Sequence, residues 1–267
     1  MTLNEKYQHL MTIIAETNGA AVAFSGGVDS SFLCYAASKA LKEKAIAVTV
    51  VSPMLPQTEI DDAKKIASIV GIKHILIEEH EIDDIVASNP KDRCYYCKKI
   101  EFGNILEAAK KHNIAAVLDG SNMDDLKDYR PGLKALSELK ILSPLRLAEL
   151  TKQDIRDLSK QFNLPTWDKP AFACLASRIP YGETINKEKL SRVEKAEAVL
   201  KNAGFKQFRV RSHNDIARIE VAPEERSLFF NEQLLDEISK QIKDSGFLFA
   251  AMELEGYTMG SLNKGHL

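Results

Sequence analysis

Short apolar runs alternate with helical spacings of apolar residues through the first half of the chain. Ala20–Phe24 is a compact apolar run, followed by Gly26-Gly27 and a helical pattern from Asp29 to Leu41. Ile46–Val51 is rich in β-branched residues and predicts a second buried strand. A helix over Thr58–Val70 is ended by Gly71, the residue type that most often follows a helix C-terminus. Lys73–Ile77 predicts a third strand, Ile100–His112 a helix, and Ala115–Leu118 a fourth strand ending at Asp119-Gly120. Such alternation predicts an α/β fold: a parallel, doubly wound sheet with helices on both faces. The N-terminus sets Glu5, Lys6 and Glu16 among apolar residues, an amphipathic helix rather than a signal peptide.

The pattern changes after Pro165. Leu164–Gly182 carries Pro165, Pro170 and Pro180 and reads as a loop between two lobes. Asn186–Asn202 is helical and stopped by Gly204; Phe208–Arg211 and Ile216–Val221 alternate as strands. Helical spacing covers Pro223–Asp244, and Phe247–Met252 predicts a last strand. The expected organisation is an α/β domain over 1–170, an interdomain loop over 171–185 and a smaller C-terminal α+β domain over 186–267.

Composition narrows the partners. Lys and Arg number 36 against 38 Asp and Glu, a net charge of −2 that argues against a broad basic surface for nucleic acid or anionic membrane. Apolar stretches such as Ala45–Val51 fall far short of the roughly 20 residues that span a bilayer. A cytoplasmic protein with neither nucleic acid nor membrane as partner is the expectation. Four cysteines are too few for a disulfide scaffold at 267 residues, so Cys94-x-x-Cys97 calls for a metal, a cluster or redox chemistry.

The strongest local signal is Ser25-Gly26-Gly27-Val28-Asp29-Ser30-Ser31, between a strand and a helix. Two glycines let the backbone bend and approach a ligand closely. The helix start offers unpaired N–H groups and a positive dipole end to phosphate oxygens. Ser25, Ser30 and Ser31 add hydroxyls, and Asp29 suits Mg²⁺. The lysine of an ordinary P-loop, G-x-x-x-x-G-K-[ST], is missing. A bland alternative is a helix capped after a glycine turn. The loop resembles that of the PP-loop ATP pyrophosphatases (adenine nucleotide alpha hydrolase-like fold). That resemblance implies cleavage of ATP between the α and β phosphates, with pyrophosphate gripped at Ser25–Ser30 and adenine lying along Val48–Ser52.

Three further segments carry polar chemistry. Asp119-Gly120-Ser121-Asn122-Met123-Asp124-Asp125, with Arg130 close behind, follows the fourth strand, where ligands of open α/β sheets gather. Trp167–Gly182 sets Cys174 near Ser177 and Arg178. Arg209 and Arg211 alternate on one strand face and suit a phosphate. Together with the loop, these segments resemble the LarE family, ATP-dependent sulfur transferases that help build the nickel-pincer nucleotide cofactor of lactate racemase. The resemblance implies a mononucleotide substrate, pyridinium-3,5-biscarboxylic acid mononucleotide, whose carboxylates are adenylated with ATP and Mg²⁺ and then converted to thiocarboxylates. It places ATP at Ser25, Gly26, Gly27, Asp29, Ser30, Ser31, Asp119, Asn122, Asp125 and Arg130. Sulfur falls to Cys174, and substrate or cation to Ser177, Arg178, Glu197, Arg209, Arg211 and Glu220. It also implies a homo-oligomer, with hexamers built through the smaller domain.

The cysteines leave several readings open. Cys94, Cys97 and Cys174 match the three ligands of a [4Fe-4S] cluster with one open iron. In another form of the family, Cys174 gives up its own sulfur and becomes dehydroalanine, with the CxxC auxiliary. Zinc with a fourth ligand such as His112, or a Cys94–Cys97 redox pair, are further readings. Cys34, beside Phe32 and Leu33, reads as a core thiol. His213 reads as a satisfied surface histidine, Trp167 as an interdomain packing residue and Glu78–Glu81 as a solvated cluster, while a helix cap is the lesser alternative for Asp124-Asp125. A tRNA-thiolating enzyme, an amide-forming synthetase and a non-catalytic nucleotide sensor are the competing functions.

Overall fold

The computed structural model describes residues 1–127, 131–170 and 173–258. The elements run α1 (Leu3–Glu16), β1 (Ala20–Ala23), α2 (Val28–Leu41), β2 (Ala45–Val51), α3 (Gln57–Val70), β3 (Lys73–Glu78), α4 (Asp84–Ala87) and α5 (Arg93–Lys111). They continue β4 (Ala116–Leu118), α6 (Pro131–Glu138), α7 (Pro144–Leu147), α8 (Lys152–Gln161), α9 (Lys187–Asn202), β5 (Phe208–His213), β6 (Ile216–Val221), α10 (Glu232–Asp244) and β7 (Phe249–Met252). Two compact units result: 1–81 with 92–172, and 82–91 with 173–267.

In the first unit, β3, β2, β1 and β4 form a parallel sheet in that spatial order. Period-two alternation splits the strand residues between its faces. Ala20, Val22 and Ala47 join Phe32, Leu33, Ile66 and Ile155 in one core, while Ala21, Ile46 and Val48 join Phe102, Ile105 and Leu136 in the other. Both faces are therefore covered by helices, which is why these strands read as unbroken apolar runs. Cys34 lies fully inside the first core, and burial pushes its thiol well above the ordinary value. The chain winds outward from β1 to β3 and returns to place β4 on β1's other side. The crevice of a doubly wound sheet opens at that reversal, past the carboxyl ends of β1 and β4.

Helix α5 departs from expectation. It begins at Arg93, about two turns before the expected start at Ile100, and so carries both Cys94 and Cys97. The helical pattern over Pro223–Asp244 breaks in two at Asn231, whose side chain accepts from Leu234 N–H and caps α10.

In the second unit, β5 pairs antiparallel with β6, and β6 parallel with β7. Val210 and Ser212 lie buried on the face of β5 opposite Arg209 and Arg211. Residues 82–91 belong to this unit because its backbone holds them: Gly182 N–H donates to Asn89 O (2.9 Å), and Ile185 N–H to Ala87 O (2.8 Å). Among the described residues, no helix is long and apolar enough to cross a membrane.

Candidate functional site

Helix α2 has Gly27 at its N-cap and no side-chain cap, whereas α1 and α8 are closed by the capping boxes Thr2/Glu5 and Thr151/Asp154. Its first N–H groups have no intrahelical acceptor, the arrangement that receives an anion. Gly26 takes φ +71°, and a Cβ there would meet Ala63 of α3 at 3.1 Å, so glycine serves both the turn and the close approach. Ser25 and Ser30 tie the loop across itself, with hydroxyls 3.1 Å apart and Ser25 N–H donating to Ser30 Oγ (3.3 Å). Ser31 is buried with its Oγ unpartnered among the described residues.

Beyond β4, Gly120 passes so close to α2 that a Cβ would meet Ser30 N at 3.2 Å and Asp29 Cβ at 3.4 Å. The acidic loop therefore lies against the phosphate loop. Asp119 is spent on holding it: its carboxylate accepts from Ser121 N–H (3.0 Å) and from the Ser121 and Ser143 hydroxyls. Asn122 N–H donates to Asp125 Oδ2 (2.9 Å), and Asn122 Oδ1 accepts from Asp124 N–H (2.9 Å). Asp124 accepts from Lys152 N–H (2.8 Å) and so serves the start of α8. Arg130 lies outside the described residues.

Asp29 is the electrostatic centre of this unit. Lys152 Nζ donates to its Oδ2 at 2.5 Å, while Oδ1 is buried and has no hydrogen-bond partner among the described residues. Burial raises the Asp29 carboxyl above its ordinary value, and the Asp125 charge adds to this against the opposing Lys152 ammonium. A free carboxylate oxygen beside a second acid suits a hard divalent cation, so the residues fit Mg²⁺. The phosphate loop has no lysine of its own, yet two reach it from elsewhere: Lys152 at Asp29, and Lys169, whose Nζ lies 3.3 Å from Gly26 O. Neither carries a sequence signal, because the contacts cross 123 and 143 residues.

The strand ends beside the loop are also ordered. Thr49 Oγ donates to Phe24 O (2.5 Å), which leaves His74 Nε2 as donor to Thr49 Oγ (2.8 Å). Burial lowers the His74 pKa, with Lys64 adding to the effect.

The second unit presents the cysteine. Cys174 is exposed and precedes a short 3₁₀ turn over Leu175–Arg178. Its carbonyl accepts from Ser177 N–H (3.0 Å) and Arg178 Nη1 (3.0 Å), and Nη1 also reaches Ala173 O (2.6 Å) and Ser177 Oγ (2.9 Å). Arg178 itself is fully buried and forks onto Glu197 through Nε (2.8 Å) and Nη2 (2.9 Å). Beside it, Arg211 Nη2 donates to Glu220 Oε2 (2.8 Å) and Nη1 to Ser177 O (2.8 Å), while Arg218 takes Glu220 Oε1 (2.9 Å). Arg209, opposite Glu220 in the register, lies over the Tyr257 ring with 5.3 Å to its centroid. Burial lowers the Arg209 pKa, and the Arg178 and Arg211 cations add to this against Glu197 and Tyr257. Replacing Arg178 by Met leaves Glu197 buried without its cation, a change that costs about 3–5 kcal/mol. Urea unfolding is expected to show that loss, and an unchanged midpoint would contradict the clamp.

His213 and Glu79 depart from their surface readings. His213 is half-buried rather than a satisfied surface group, with Nε2 unpartnered among the described residues and its pKa lowered by burial and then by Arg218. Glu79 accepts from Asn104, and burial raises its pKa. Trp167 is 38% exposed, with the Lys160 ammonium 4.7 Å from its ring centroid. Cys94 is exposed and Cys97 half-exposed on α5, one turn apart. Among the described residues no three His, Cys, Asp or Glu side chains gather as a metal-holding group.

A glycine-and-serine phosphate loop leaving the first strand of a parallel sheet, with an acidic loop set against it, defines the PP-loop class of α/β nucleotide-binding proteins. The NAD synthase family model matches residues 4–116. The chain is 41% identical to an uncharacterized protein of Synechocystis sp., over 98% of each chain. It is 36% identical to the pyridinium-3,5-bisthiocarboxylic acid mononucleotide synthase of Lactiplantibacillus plantarum, covering 98% of this chain and 95% of that one. An uncharacterized protein of Methanocaldococcus jannaschii is 32% identical over 96% of this chain and 94% of its own length. The chain belongs to the pyridinium-3,5-bisthiocarboxylic acid mononucleotide synthase family, LarE.

Proposed function

We propose that this chain is an ATP-dependent sulfur transferase that converts the carboxylates of pyridinium-3,5-biscarboxylic acid mononucleotide into thiocarboxylates. The observation that carries this reading is the end-to-end similarity to the L. plantarum synthase. The uncapped start of α2 supports a role in holding the departing pyrophosphate, with Ser25, Ser30 and Ser31 supplying hydroxyls. Mg²⁺, held by Asp29 with Asp125 nearby, would neutralise phosphate charge during adenylation. Asp119 and Asn122 hold the loop that faces this site, and Arg130 is assigned to ATP by the family resemblance alone. Arg209 and Arg211 are assigned to the substrate phosphate, a role their shared face of β5 supports. Arg178, Glu197, Ser177 and Glu220 hold the adjoining backbone and guanidiniums in place.

Adenylation makes the carboxylate carbon electrophilic. The Cys174 thiolate then attacks that carbon: a C–S bond forms, the C–O bond to AMP breaks, and AMP leaves with the electron pair. Loss of the Cys174 Cα proton and cleavage of its Cβ–S bond releases the thiocarboxylate and leaves dehydroalanine. The [4Fe-4S] reading would use Cys94 and Cys97 from the first unit and Cys174 from the second. The step above uses Cys174 alone. A homo-oligomer is supported by the exposed apolar side chains of the second unit, among them Phe230, Leu248, Phe249 and Leu254.

Incubation with ATP, Mg²⁺ and the dicarboxylate mononucleotide is expected to yield AMP and pyrophosphate; ADP, or no nucleotide turnover, would contradict the reading.

A further inference from the structure

Lys169 has no place in the chemistry derived above, yet it is among the most constrained lysines of the first unit. Its side chain is 17% exposed, and its ammonium lies 3.0 Å from Glu59 Oε2, 3.0 Å from Asp62 Oδ2 and 3.3 Å from Gly26 O. Glu59 is buried and Asp62 half-buried on α3, the helix whose Ala63 packs against Gly26. One cation therefore neutralises part of an acidic pair set beside an anion-binding loop and holds a loop carbonyl at the same time.

That carbonyl belongs to the Gly26–Gly27 peptide, which is trans, as no cis peptide bond occurs among the described residues. In a trans peptide the C=O and N–H point in opposite directions, so fixing Gly26 O toward Lys169 turns Gly27 N–H away from it. Gly26 sits at φ +71° and has no Cβ, so nothing in its own side chain fixes this orientation. We infer that Lys169 is a positioning residue for the phosphate loop: it sets the Gly26–Gly27 peptide so that Gly27 N–H faces the anion, and it shields the anion from Glu59 and Asp62. The inference rests on the proposed ATP pyrophosphatase reading and adds a residue to that site.

Lys169→Met is expected to weaken binding of inorganic pyrophosphate and raise KM for ATP, each about tenfold, the worth of one charge-assisted hydrogen bond. The effect on kcat is expected to be smaller, since the contact serves bound and reacting phosphates alike. Glycine-selective ¹⁵N labelling gives a readout that a merely structural role would not move. The Gly27 amide signal should shift in the unliganded variant and respond less to pyrophosphate, with the remaining glycines unchanged. If Lys169→Met does not fold, Lys169→Gln, which keeps a donor near the same reach, is expected to show a smaller loss of affinity. Wild-type pyrophosphate affinity in a folded Lys169 variant would overturn the proposal, as would a wild-type protein that binds no pyrophosphate. Failure of the wild type to make AMP would overturn the functional reading instead, and the pyrophosphate titration would still judge Lys169.

Discussion

Replacing Cys174 by alanine is expected to abolish thiocarboxylate formation while AMP and pyrophosphate still form. The two halves of the reaction use different groups. In the proposed mechanism adenylation is assigned to the uncapped start of α2 and Asp29, all in the first unit, and sulfur transfer to the thiol that follows Ala173 in the second. Cys174 is exposed and makes its hydrogen bonds through its carbonyl, so losing Sγ leaves the Arg178 and Ser177 contacts in place. Unfolding of the variant should match wild type, and product analysis by mass spectrometry should find adenylated or unchanged carboxylate only. Thiocarboxylate formed at the wild-type rate would remove Cys174 from the mechanism. In the wild-type protein, loss of the elements of H₂S from Cys174 after turnover would mark sacrifice. An unchanged mass together with bound iron and sulfide would mark cluster-borne sulfur.

Asp29→Ala is expected to lower AMP formation by about 10²–10³-fold, the scale of losing one preorganised electrostatic stabiliser. Stability should change little, because the Lys152 pair is partly exposed and such pairs contribute about 1 kcal/mol or less. Raising Mg²⁺ should not restore the rate if Asp29 supplies the anchoring oxygen. A variant that retains near-wild-type AMP formation would assign the metal elsewhere.

What was legible in the sequence was local. β-branched runs and helical spacing give the sheet and its covering helices, and Ser25–Ser31 marks the loop because glycines, serines and an acid coincide at a strand–helix junction. Strand alternation places Arg209 and Arg211 on one face. The start of α5 at Arg93 escapes because its first turns, Cys94, Tyr95, Tyr96 and Lys98 among them, carry no apolar stripe. Lys152 and Lys169 escape for a different reason: a phosphate-loop lysine is sought inside the motif, and here both arrive from the far end of the α/β unit. The attachment of 82–91 to the second unit depends on backbone bonds to Gly182 and Ile185, which leave no pattern in side chains.

Whether ATP-driven adenylation ends in transfer of sulfur to a carboxylate is read out by mass analysis of the mononucleotide after a single turnover with stoichiometric protein, ATP and Mg²⁺. Replacement of a carboxylate oxygen by sulfur is expected, with one AMP released for each sulfur transferred. AMP release with both carboxylates returned intact, or with an amide formed when ammonia is supplied, would contradict it.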